Sequence, residues 1–161
     1  QKLVPNALWY FRWAAAFTFL TGLYLLYWLS ITVNIGIVLG AIMGTIMAAN
    51  VWFVIWPNQK KVIAGAPDAA DAGAKAGLAS RTNTLFSLPM LYLMVYSAHG
   101  GSLPMIAESS MNSLWIGLVI ILLIEANALF GKMNAMITSV KAVIHSGVAL
   151  TVIFGLLVHY L

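Results

Sequence analysis

Five long apolar stretches, separated by short polar breaks, limit what this 161-residue chain can fold into. They run from about Trp13 to Ser30, Val33 to Trp56, Leu85 to Ala98, Leu114 to Phe130 and Val140 to Leu161. A helix that crosses a bilayer takes roughly 20 apolar residues, and tilt or interfacial flanks accommodate departures from that length. Inside lipid every backbone polar group needs a partner within the chain, so these segments are expected to be helices. No alternation of apolar and polar residues suggests a barrel. Composition agrees, because only 7% of the residues are charged, against about 25% in soluble domains. The expected fold class is an all-α integral membrane protein, a single domain over residues 1–161 built as a bundle of about five transmembrane helices. The third stretch is the shortest and contains Pro89, which predicts a kink there. Gln1 is not an initiating Met and no signal-peptide pattern follows it, so one more helix is expected upstream of Gln1.

The charges fix an orientation. With five spans, the N-terminus, the Pro57–Asn83 loop and the Gly131–Ala135 turn share one side of the membrane. All eight basic residues (Lys2, Arg12, Lys60, Lys61, Lys75, Arg81, Lys132 and Lys141) fall on that side or in the adjoining helix turns. The other side, with the Ile31–Thr32 turn, the His99–Asn112 loop and the C-terminus, carries only Glu108. The positive-inside rule then makes the 57–83 loop cytoplasmic and the C-terminus periplasmic in a bacterial inner membrane. The net charge of +4 therefore reflects orientation, and no nucleic-acid partner is expected. Trp9, Trp13, Trp52 and Trp56 fall at the cytoplasmic interface, and Tyr27, Trp28 and Trp115 at the opposite one. Within the loop, Pro67 and Asp68 precede an Ala-rich run, Ala69–Ser80, that predicts a short capped helix leading into the third span.

Small residues mark packing seams. Gly36, Gly40, Gly44 and Ala48 recur every fourth position on one face of the second span, which lets another backbone approach closely. Gly147, Thr151 and Gly155 form a weaker seam on the fifth span. Either seam serves packing inside the bundle or contact with a partner subunit or a second copy of the chain.

Few polar residues lie within the spans. Glu125 is the only acid there, and an intramembrane acid is costly unless paired, which marks it for function by default. The fourth and fifth spans form an antiparallel hairpin centred near Met133, so Glu125 and Lys141 fall at similar depth and are expected to pair. A proton-handling or cofactor-facing role for Glu125 is the alternative. Asn50 and Asn127 lie at similar depth and would extend a polar network.

His145 and His159 share a face of the fifth span, roughly 21 Å apart at 1.5 Å per residue. Membrane b-haems are held by histidines stacked in this way, each haem needing a second ligand from another helix. His99, at the outer end of the third span, reaches the level of His159 and is the candidate partner for it. His145 would take its partner from the helix expected upstream. With no cysteine, disulfides, thiolate metal sites and covalent c-type haem are excluded, and no metal cluster is expected. The nucleotide-loop, GxSxG, HExxH and acidic calcium-loop motifs are absent.

Gly40–Lys61, GAIMGTIMAANVWFVIWPNQKK, resembles the membrane domain of the bacterial urate oxidase (urate hydroxylase) family. The similarity extends to Ser80–Met94, SRTNTLFSLPMLYLM, and to Ala7–Gly22, ALWYFRWAAAFTFLTG, and so covers most of residues 5–98. The resemblance implies a helical membrane module associated with electron transfer, since enzyme members carry a cytochrome c tail. Without CxxCH, and with Glu125-Ala126-Asn127 where those members are rich in His and Arg, the chain is most similar to the short stand-alone relatives lacking that tail. The expected function is an integral membrane subunit associated with electron transfer, holding haem b within a larger redox complex. A non-catalytic accessory subunit packed against a larger complex is the alternative, and a transporter or proton-handling protein the third reading. Partners would be the bilayer and other membrane subunits or further copies of the chain.

Overall fold

A computed structural model describes residues 3–28, 33–99 and 111–161, and all regular structure within them is helical. Helix α1 spans Leu3–Trp28, α2 Ile35–Ala49, α3 Trp56–Ala64, α4 Ala69–His99, α5 Met111–Phe130 and α6 Val140–Tyr160. A π-helical turn, Asn50–Ile55, joins α2 to α3, so Ile35–Ala64 runs as one 30-residue helix. The Ile31–Thr32 turn, Glu108 and most of the His99–Asn112 loop lie outside the described residues.

Among the described residues three helices are long and apolar enough to cross a membrane: Ile35–Ala64, Met111–Phe130 and Val140–Tyr160. No more than a third of the residues in the apolar window of any of them is buried. Their outward faces are Leu, Ile, Val and Phe, a surface suited to lipid rather than water. The chain is a multi-pass membrane protein. The first and third expected spans fall on α1 and the second half of α4, which are helical but more polar along their length.

Helix α4 is the hub, with α2, α3, α5 and α6 packed around it. Phe86 and Leu93 of α4, Leu39 and Met43 of α2, Ile121 of α5 and Phe154 of α6 are fully enclosed and form the centre of the core. The glycine seams belong to this packing. A Cβ at Gly40 would stand 3.1 Å from Met94 Cγ and 3.5 Å from the Met90 carbonyl, and one at Gly147 would stand 2.9 Å from Leu88 Cδ1. Gly44 is less confined, 3.4 Å from Met90 Sδ, and Ala48 lines an adjoining groove. Gly36 is buried at the start of α2. Gly117 is the tightest of the interhelical glycines, with Leu39 Cδ1 at 2.7 Å; its isolated position in the sequence gave no periodic signal.

The 57–83 segment is more regular than a loop with a short helix. Helix α3 continues the second span outward, and α4 runs without interruption for 31 residues, through Gly73, Gly77 and the buried Pro89. Only a short corner separates them. Gly65, at φ +64°, closes α3, and the Ala66 and Gly65 N–H groups bond back to the Lys61 and Val62 carbonyls. A left-handed residue is needed there and glycine adopts it without a Cβ clash. Lys61 Nζ and Asp68 Oδ2, 2.7 Å apart, clamp the corner.

Helix α1 is held at one end. Arg12 lies over the Trp56, Trp52 and Trp13 rings at 4.1, 4.8 and 5.5 Å, in a cation–π cluster. Above this clamp a groove of about 640 Å³ separates α1 from α2 and α4.

Candidate functional site

A buried polar node crosses three helices. In the π turn backbone hydrogen bonds run i to i+5, which loosens the pairing at its N-terminal edge. There the Met47 carbonyl accepts from the Asn50 N–H and also from Asn83 Nδ2 on α4, at 3.0 Å. A carbonyl only accepts, so the Asn83 amide must point its nitrogen at Met47 and its oxygen away. That oxygen accepts from Asn50 Nδ2 at 3.0 Å. The same Asn50 nitrogen donates to Glu125 Oε2 on α5 at 3.1 Å. One backbone carbonyl thus orients two amides in series, and the second presents N–H to a carboxylate. Asn50 is only 2% exposed, and Glu125 is half-buried.

This geometry corrects the expected Glu125–Lys141 pair. Among the described residues the ion pair is Lys61–Asp68, and Lys141 is exposed. Residues 131–139 do not form a tight turn but fold back on the bundle, where the Ile137 carbonyl accepts from Arg81 at 2.7 Å and the Met136 carbonyl from Ser146 Oγ at 3.0 Å. Helix α6 therefore packs chiefly on α4 and only lightly on α5, which removes the hairpin register that equal spacing implied. Asn127 lies on α5, half-buried, and its carbonyl accepts the Gly131 N–H that follows the helix; it does not join the Asn50 node. Asn83 was missed because it sits where the loop was expected to end. The available signal was the need of a buried Asn50 for partners on a neighbouring helix.

The histidines lie apart from this node. His159 Nε2 makes a long 3.5 Å contact with the Tyr92 hydroxyl, and its ring packs edge-on against Tyr96 at 4.7 Å. His99, one turn beyond Tyr96, lines an apolar groove of about 680 Å³ between α4 and α6. His99 and His159 thus share one end of the molecule, but among the described residues no ring contact joins them. His145 is exposed on the outer face of α6, with Nδ1 2.8 Å from the Lys141 carbonyl. Facing an acceptor, Nδ1 must carry the proton, so a neutral ring keeps its lone pair on Nε2. Among the described residues no hydrogen bond engages that nitrogen. Metal-bound histidines are oriented in the same way, with the second ring nitrogen donating to a carbonyl.

Outside the bilayer segments, the Lys61 hydrogen bond holds the Asp68 carboxyl below the usual carboxylate range. Among the described residues no group of three or more His, Cys, Asp or Glu could hold a metal ion.

The fold and its polar node define a helical membrane protein with an acid held inside its bundle. Residues 34–158 match the family described as urate oxidase N-terminal, and the chain belongs to that family. The match runs on from the resemblance over residues 5–98 through α5 and α6. No curated protein and no solved structure matches the chain.

Proposed function

We propose that this chain is an electron-transfer-associated subunit of the bacterial inner membrane that carries a b-type haem on His145. The observation that carries the reading is the His145 ring. Its Nδ1–H is fixed by the Lys141 carbonyl, and its free Nε2 projects from the bundle. Lys141, one turn toward the expected cytoplasmic side, is placed to neutralise a haem carboxylate. Val148 and Val152, on the same face of α6, line the apolar groove that would seat the edge of a flat hydrophobic cofactor. A bound haem would supply one-electron transfer at the membrane. His145 would hold the haem from one side, and with its ring exposed on α6 a further ligand would come from a neighbouring subunit or a second copy of the chain.

The same reading takes α1 and the second half of α4 as spans, giving five. It places the α3–α4 corner in the cytoplasm and the C-terminus in the periplasm. The Trp9, Trp13, Trp52 and Trp56 cluster at one end, clamped on Arg12 and Lys60, supports that assignment. A visible absorption spectrum of the protein purified from membranes tests the function. A Soret band is expected, whereas a colourless protein with its partners retained turns the reading to a non-catalytic accessory subunit.

A further inference from the structure

We propose that Glu125 is a proton-exchanging carboxylate of the membrane interior, positioned by Asn50 and Asn83. The proposal is independent of haem binding.

Three observations converge on it. The first is the fixed orientation of the node: the Met47 carbonyl aligns Asn83, Asn83 aligns Asn50, and Asn50 offers N–H to Glu125. The second is the π turn at Asn50–Ile55, a departure from α-helix often found where a helix does chemistry. The third is that, among the described residues, no cation pairs with Glu125. Helix α5 packs against α2, α4 and α6. Arg81 of α4 is engaged by the Ile137 carbonyl, and Lys141 and His145 of α6 face outward. His99 and His159 lie at the far end of the bundle, α2 carries no ionisable group, and Asp71 and Lys75 lie in the first turns of α4 beyond the apolar layer.

Among the described residues this carboxylate has an amide donor and no ion partner, so taking up a proton is the direct way to neutralise it. Protonation consumes one proton from water and yields the neutral acid; deprotonation returns it. A metal cation fits poorly, because the group aimed at the carboxylate is a donor rather than an oxygen ligand. Access is short. Glu125 lies about one and a half turns from the end of α5 at Phe130, roughly 7–8 Å along the axis, and keeps part of its surface exposed.

Dicyclohexylcarbodiimide, an apolar reagent that adds to protonated carboxyls, tests the proposal on the full chain in liposomes. Mass spectrometry of the Glu125 peptide is read between about pH 5 and 9. The expected result is labelling that falls sigmoidally as pH rises. At a fixed pH on the falling limb, Asn50→Leu and Asn83→Ala should label to a different extent from wild type, because the carboxylate loses its oriented donor. A silent or pH-independent Glu125 in the wild-type protein overturns the proposal, as does an unmoved profile in both variants. If the variants do not fold, the infrared carboxyl band of the wild-type protein, assigned by its loss in Glu125→Gln, decides. A band that does not change with pH overturns the proposal.

Discussion

Asn50 Nδ2 stands 3.1 Å from Glu125 Oε2, joining the π turn of the second apolar helix to α5. This contact, and not an ion pair with Lys141, satisfies the one acid in that helix. In a double-mutant cycle on thermal stability in detergent, Asn50→Leu and Glu125→Gln should show coupling of about 1 kcal/mol, within the range of interhelical hydrogen bonds in membranes. Glu125→Gln and Lys141→Met should show coupling near zero. Strong Glu125–Lys141 coupling would contradict the arrangement.

The glycines separate by what their missing side chains would meet. A Cβ at Gly117 falls on the enclosed Leu39 side chain and within 3.3 Å of Phe154 Cε1, so Gly117→Ala should cost about 1–3 kcal/mol by overpacking. Gly44→Ala meets only ordinary contact with Met90 and should be nearly neutral. Melting of the two variants in the same detergent checks the order.

Much of the architecture was legible in the sequence because lipid imposes it. Apolar runs that must satisfy their own backbones become helices, and apart from Val33, Asn34 and Leu161 the described parts of all five expected spans are helical. What was not legible depends on how helices meet. Glu125 and Lys141 are equally far from Met133 in sequence, but the folded 131–139 segment and the docking of α6 on α4 separate them. Asn83 lies beyond the boundary that hydropathy gave for its span, because α4 extends unbroken from its polar first turns into the apolar region. The α3–α4 corner read as a loop for the same reason: the polar residues of α3 and the alanine-rich start of α4 have the polarity of connections. His145 was singled out by its spacing to His159; the structure adds a local feature, the Lys141 carbonyl one turn back that fixes the ring's tautomer.

Acid should loosen the α3–α4 corner. The folded Asp68 carboxyl is held low by Lys61, so it contributes stability above the unfolded carboxylate range, and that contribution is lost as pH falls through the folded value. Carbon-detected NMR in micelles should find Asp68 titrating below the ordinary Asp range in the wild-type protein, and returning to that range in Lys61→Met. Identical titration in both would remove the clamp.

The proposed orientation rests on the basic residues. A cysteine at Ala74, on the exposed surface of the first turns of α4, should resist an impermeant thiol reagent applied to intact cells and react once the inner membrane is opened. Labelling from outside would reverse the proposed topology.

The most direct measurement of the central claim is the visible spectrum of the purified wild-type protein beside that of His145→Ala. A Soret band in the wild-type protein, lost or shifted to a high-spin form in His145→Ala and retained in His159→Ala, is the predicted result. A wild-type spectrum without haem, or one unchanged by His145→Ala, would contradict it.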